Sequence, residues 1–137
     1  MSSPEQARLI EAALKAREFA VAPYSNFEVG AALLTSNGEI IFGANVESVS
    51  YGLTCCAERI ALFKALTDGK TSFRAIAIVA ALDNGPMPCG ACRQLLAEYA
   101  SNAIIWVADT RHPDRIREFT VQELLPYTFS AFRQNSD

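Results

Sequence analysis

The 137-residue sequence has little with which to grip a polyanion or enter a membrane. Its basic residues form no run: twelve Lys and Arg stand against fifteen Asp and Glu, for a formal charge of −3. A protein that holds nucleic acid through its phosphates carries a basic stripe, so no nucleic-acid partner is expected. The longest unbroken apolar stretch is the 8 residues from Ala75 to Leu82, against the roughly 20 that a membrane-spanning helix needs. No membrane partner is expected either. The start Met1-Ser2-Ser3-Pro4-Glu5 has neither the basic residues nor the apolar stretch of a secretory leader, which makes a reducing cytoplasm the expected compartment. Glycine and proline are sparse, at 7 and 6 residues, so the composition is that of neither a low-complexity nor a disordered chain. Histidine occurs once, at His112.

What the chain does have is apolar mass: 50 % of its residues are apolar and 20 % are charged. At this length a folded chain buries roughly two-thirds of its surface, so residues 1–137 are expected to share one core and form a single domain. Ser3, Pro4 and Gln6 read as an N-cap, a proline at the first helical position and a capping-box partner. Ala7, Ile10, Ala13 and Leu14 fall on one face at helical spacing and Pro23 closes the segment, which predicts a helix over residues 4–20. Asn37-Gly38, between the extended stretches 27–35 and 39–43, predicts a β-hairpin. Helices are expected over 56–66 and 90–100, and buried strands over 73–81 and 103–108. A short strand over 116–120 and a short helix before Pro126 complete the pattern. This order, α-β-β-α-β-α-β-β-α, predicts an α/β fold with three layers, α-β-α, around a mixed sheet of about five strands.

Four cysteines remain. In a reducing compartment they are ligands, nucleophiles or core residues before they are disulfides. Cys89-Gly90-Ala91-Cys92 opens one predicted helix and Cys55-Cys56-Ala57-Glu58 opens another. A redox dithiol of the thioredoxin kind follows the first strand of its fold and would leave Cys56 without a role. Inert burial suits one cysteine better than three at two helix starts. A metal accounts for the spacing, because residues i and i+3 at a helix start face the same way and the partial positive charge there favours thiolates. Adjacent Cys55 and Cys56 cannot readily share one ion, which leaves three thiolates and an open fourth position, the pattern of a catalytic zinc. Glu58 on its own reads as a surface glutamate of a first helical turn; beside the cysteines it is the candidate general acid/base. Arg59 would offset the negative charge of three thiolates around a dication.

Four strings are specific in order and spacing: Ala22-Pro23-Tyr24-Ser25-Asn26-Phe27-Glu28-Val29-Gly30-Ala31-Ala32-Leu33, Asn45-Val46-Glu47, Cys56-Ala57-Glu58-Arg59, and Pro88-Cys89-Gly90-Ala91-Cys92-Arg93-Gln94. From about residue 5 to Phe129 the chain resembles the small, homotetrameric cytidine deaminases. The resemblance implies a cytidine deaminase-like fold, one zinc ion per chain, and hydrolytic deamination of cytidine and 2′-deoxycytidine to uridine and 2′-deoxyuridine. It implies that Cys56, Cys89 and Cys92 hold the zinc, and that Glu58 carries protons between the attacking water, N3 of the base and the departing amino group. Asn45 and Glu47 would bond the ribose, Phe27 would pack against the nucleoside, and the Ala57 N–H would contact the base carbonyl. Tyr51 and Phe129 match positions that similar enzymes lend to a neighbouring subunit, which implies a homotetramer with shared active sites and a small pyrimidine nucleoside as partner.

Taken singly, the same residues have plainer readings. Asn45 and Glu47 are polar loop residues after a strand, Phe27 and Tyr51 core residues, and Phe129 an anchor for the tail. The Cys-Ala-Glu spacing assigns ligation to Cys56 and leaves Cys55 as a neighbour. Gly85-Pro86-Met87 before Pro88 departs from the family pattern at the rim of the pyrimidine pocket. Thr110 to Arg117 carries no motif: His112 reads as a loop residue, and Arg111, Arg115 and Arg117 as a solvated face. Blasticidin-type deaminases share the zinc motifs, but Phe27, Asn45 and Glu47 favour a plain nucleoside.

Overall fold

Residues 3–129, those described by the computed structural model, alternate helix and strand in the expected order. The elements are α1 (Pro4–Arg17), β1 (Val29–Thr35), β2 (Ile40–Ala44), α2 (Ala57–Thr67), β3 (Phe73–Ala80), α3 (Gly90–Tyr99), β4 (Ile104–Asp109), β5 (Arg117–Thr120) and α4 (Val121–Leu124). A single 3-10 turn, Tyr51–Leu53, lies between β2 and α2. The strands form one sheet in the order β2-β1-β3-β4-β5. Only β3 and β4 are parallel, joined through α3 as a helical crossover requires; the other neighbours are antiparallel, which makes the sheet mixed.

Side chains alternate across the strands with period two and so feed two cores. On one face Leu9, Ile10 and Ala13 of α1 pack on Ala32, Leu34, Ala77 and Val79. On the other, Ala57, Ala61 and Leu62 of α2, Leu96 of α3 and Val121 of α4 cover Ala31, Leu33, Ile76, Ile78 and Ile105. The three-layer α-β-α arrangement follows. β3 is buried along nearly its whole length, as its continuous apolar run predicts. No helix among the described residues is long and apolar enough to cross a membrane.

Two boundaries differ from expectation by more than one residue. The helix predicted to residue 20 ends at Arg17, because the N–H groups of Glu18, Phe19 and Ala20 donate to carbonyls three residues back and tighten the last turn. The strand predicted from residue 27 begins at Val29, because a side chain takes over the pairing at its start: Asn45 accepts from the Val29 N–H and donates to the Phe27 carbonyl, both at 2.9 Å.

Candidate active site

The site is built from the starts of two helices. Cys56 is the N-cap of α2 and Cys89 the N-cap of α3, both with extended backbone and neither with a side-chain cap bond. The two thiols are therefore available, and Cys92, one turn into α3, joins them. The Cys56 and Cys89 sulfurs are 3.8 Å apart, those of Cys89 and Cys92 3.5 Å, and all three lie within 4.8 Å of one another. α2 reaches this position because Gly43 of β2 has no side chain: a Cβ there would stand 2.3 Å from the Ala57 carbonyl oxygen.

Their protonation shows one crowded cluster. The Cys92 thiol donates to Cys56 and, with Cys89 and Arg59, pulls the Cys56 thiol down to about 5 against the effect of burial. Cys92 is pushed up, by that same bond and by burial. Arg59 extends Nη2 to within 3.5 Å of the Cys56 sulfur. Bonds to Cys92 and Cys56 hold its guanidinium more firmly charged than usual. Its Nε is buried with no hydrogen-bond partner among the described residues.

Glu58 is not on the surface. It lies in the first turn of α2 with 6 % of its area exposed. Burial, reinforced by the negative Cys56, pushes its carboxyl up to about 7 although Cys92 and Arg59 pull the other way. A carboxyl poised near neutrality takes and gives a proton with similar ease, the property a general acid/base needs.

A pocket of about 200 Å³ joins Glu58, Cys56 and Cys89 to Phe27, Asn45 and Ala57. Val29, Thr54, Cys55, Ile78, Pro86 and Met87 line the rest of it. Six of the residues singled out in the sequence are thus brought together. Glu47 and Tyr51 are not among them: they line an adjoining cleft of about 370 Å³ that shares only Thr54 with the pocket. Tyr51 is 84 % exposed and Phe129 60 %. Phe129 lines neither space, and its backbone carbonyl accepts a bond from Gln94 at 2.9 Å.

Asn45 and Glu47 already have work within the chain. Asn45 clamps Phe27 and Val29 as described. One Glu47 carboxylate oxygen accepts from the N–H groups of Tyr24 and Ser25, each at 3.1 Å, and the other accepts from the Ser25 hydroxyl. These bonds, those of Ser25 first, hold the Glu47 carboxyl below its ordinary range. The Ser25 hydroxyl also accepts from the Phe27 N–H at 2.9 Å. Asn45, Glu47 and Ser25 together set the loop that carries Phe27 into the pocket. Ser25, Thr54 and Ile78 were not foreseen as contributors. Ile78 was readable, since it shares a sheet face with Ile76 and lies near the end of β3 that feeds the loop to Cys89; Ser25 lies within the Ala22 to Leu33 string, and nothing in the sequence distinguished Thr54.

The span matched in known proteins includes the three cysteines and Glu58. A family model described as the cytidine and deoxycytidylate deaminase zinc-binding region matches residues 3–108. The chain belongs to the cytidine and deoxycytidylate deaminase family. A cytidine deaminase of Halalkalibacterium halodurans is 49 % identical over 128 residues, covering 93 % of this chain and 96 % of that one. One from Sporosarcina psychrophila is 50 % identical over 123 residues, 90 % of each. The crystal structure of cytidine deaminase from Burkholderia pseudomallei superimposes with a TM-score of 0.85 at 46 % identity, covering 89 % of this chain and 97 % of that one.

The cysteine cluster of this deaminase suits the family's zinc. Sulfurs on a tetrahedral zinc at Zn–S distances of about 2.3 Å stand roughly 3.8 Å apart. The separations of 3.5 and 3.8 Å match that edge with no rearrangement of the helices. Among the described residues no fourth Cys, His, Asp or Glu joins the group.

Proposed function

We propose that this protein is a zinc-dependent cytidine deaminase, hydrolysing cytidine and 2′-deoxycytidine to uridine and 2′-deoxyuridine with release of ammonia. The observation that carries the reading is the buried Glu58, beside three thiols at two helix starts and facing a pocket of about 200 Å³. Cys56, Cys89 and Cys92 would hold zinc, which when bound acts as a Lewis acid and lowers the pKa of water.

Glu58 carries the protons. It takes one from the attacking water, whose oxygen forms the new bond to C4, and delivers it to N3 of the pyrimidine. It then takes the second proton from that oxygen, now bound to C4, and gives it to the amino group as the C4–N bond breaks and the C4 carbonyl forms, so that cytidine and water become uridine and ammonia. The Ala57 N–H, at the positive end of α2, donates to the base carbonyl. Phe27 packs on the nucleoside, and Asn45 and Glu47 bond the ribose with the acceptor and donor capacity left by their internal bonds. Arg59 tempers the charge of the thiolates and so positions them without touching substrate.

Tyr51 and Phe129 complete a neighbouring subunit's site in a homotetramer. Their exposure, and that of Val49 and Leu53 at 77 % and 75 %, supports a second copy covering this edge. The protein works in the cytoplasm, where its thiols stay reduced. Purified, zinc-loaded protein mixed with cytidine is expected to release ammonia in step with uridine. Zinc-loaded protein that leaves both cytidine and 2′-deoxycytidine untouched would overturn the reading.

A further inference from the structure

Beyond the carboxyl ends of β3 and β4 lies a second cleft, of about 460 Å³. Asp83, Asn84, His112, Arg115, Ile116 and Arg117 line it together with Asp109. It shares no residue with the pocket containing Glu58. Its volume lies within the roughly 300–1,000 Å³ usual for small-molecule sites.

Counting Arg111, three arginines stand against two carboxylates at this cleft, and both carboxylates are already engaged. Arg111 holds both oxygens of Asp109 at 2.9 Å and reaches Asp83 at 2.9 Å as well. Those bonds, with His112 adding to them, keep the Asp109 carboxyl below its ordinary range. Arg111, 55 % exposed on the solvated face, is thus spent on these two carboxylates. Arg115 and His112 make no side-chain hydrogen bond or ion pair among the described residues. Arg117 stacks over the Phe119 ring at 5.0 Å and makes one long bond, 3.4 Å, to the Asn84 carbonyl. Two guanidinium forks and an imidazole are left with spare donors around one concavity.

The walls are firm. Asn84 and Gly85 both take positive φ, 67° and 83°, and a Cβ on Gly85 would stand 2.7 Å from the Ala108 nitrogen, so the turn is pressed onto β4. The Thr110 N–H closes the other side on the Ala80 carbonyl at 3.0 Å. The cleft opens at the carboxyl ends of two parallel strands, where open α/β sheets take their ligands.

We propose that this cleft binds a phosphoryl group, presented by a phosphate monoester the size of a nucleotide or by free phosphate. Planar guanidinium forks match the oxygens of phosphate, and two of them converging on one space favour that anion over a halide or a lone carboxylate. The experiment is calorimetric titration of the purified protein with uridine 5′-monophosphate and, separately, with inorganic phosphate. It requires no turnover, and a Phe27→Ala arm separates binding in this cleft from binding of the nucleoside in the pocket beside Glu58.

Uridine 5′-monophosphate is expected to bind with a Kd below about 1 mM. The double variant Arg115→Ala, Arg117→Ala should weaken it at least tenfold. Arg8→Ala, Lys15→Ala, which removes the same charge from exposed positions on α1, and Phe27→Ala, which alters the pocket beside Glu58, should leave it unchanged. Tighter binding of the nucleotide than of phosphate assigns the ester; equal affinity assigns free phosphate. The proposal fails if neither probe binds, if the arginine pair can be removed without effect, or if Phe27→Ala abolishes binding.

Discussion

Four helix starts in this chain share one backbone conformation and differ in what stands on it. The N-caps of α1 and α4, Ser3 and Thr120, have φ, ψ of −74°, 158° and −93°, 160°; those of α2 and α3, Cys56 and Cys89, have −71°, 152° and −67°, 166°. Ser3 and Thr120 turn their hydroxyls back on the helix, accepting from the N–H groups of Gln6 and Glu123 at 3.1 Å. Glu123 closes a capping box with the Thr120 N–H at 2.7 Å. The two cysteines make no such bond. A thiol is a poor acceptor where an oxygen is a good one. The chain gives up two caps at the two helix starts that meet, and the orphaned N–H dipoles there favour thiolates instead.

The substitution Cys89→Ser tests this contrast most sharply. Zinc content and deamination should fall to background, while the metal-free variant should melt higher than metal-free wild type by the equivalent of about 0.5–1 kcal/mol, because the introduced hydroxyl would accept the missing cap bond. An unchanged or lowered melting point in the absence of metal would mean that the cysteine had not displaced a cap. Glu58→Ala comes next: kcat should drop roughly 10²–10⁴-fold with one zinc per chain retained. Loss of the zinc along with activity would place Glu58 among the groups holding the metal.

Asn45→Ala separates the loop clamp from the helix starts. It leaves the Val29 N–H and the Phe27 carbonyl without their partner and should cost about 1–3 kcal/mol in denaturant unfolding, with KM raised as Phe27 loses its anchor. A variant with wild-type stability and altered KM alone would give Asn45 a purely ribose-binding role. Ser3→Ala removes the cap bond at a distant helix start. It should lose about 1 kcal/mol of stability and leave kcat and KM unchanged.

The smallest effect is expected from acid. The Glu47 carboxyl is held below its ordinary range in the fold, so its contribution is present above the unfolded pKa and is lost as pH falls through the folded one. Wild type should therefore lose melting temperature below about pH 4 more steeply than Glu47→Gln. Parallel acid limbs for the two proteins would remove the Tyr24 and Ser25 bonds from the account.

Much of the fold was legible because its signals are local. Ser3 and Pro4 marked the first helix through a cap hydroxyl and a fixed φ, and Asn37-Gly38 the hairpin through its turn preference. The boundaries that moved did so for reasons outside the segment. Val29 begins β1 because Asn45, sixteen residues later, supplies the pairing that Phe27 would otherwise seek in a strand. The zinc cluster was legible from spacing, since CxxC at a helix start faces one way whatever surrounds it.

The sequence by itself determined which residue types the chemistry uses, how they are spaced, and that three cysteines at two helix starts leave a place open. Tertiary structure decided how they work. Glu58 has the composition of a surface residue, and only the packing of α2 on Gly43 and the approach of α3 bury it to 6 % exposure and bring its carboxyl to about 7. Arg111, Arg115 and Arg117 look alike along the chain, yet one is spent on Asp109 and Asp83 while the other two face a cleft. Spacing along a helix is a local property of the backbone. Desolvation and charge neutralisation depend on what other segments place within a few ångströms, and that is set by the fold.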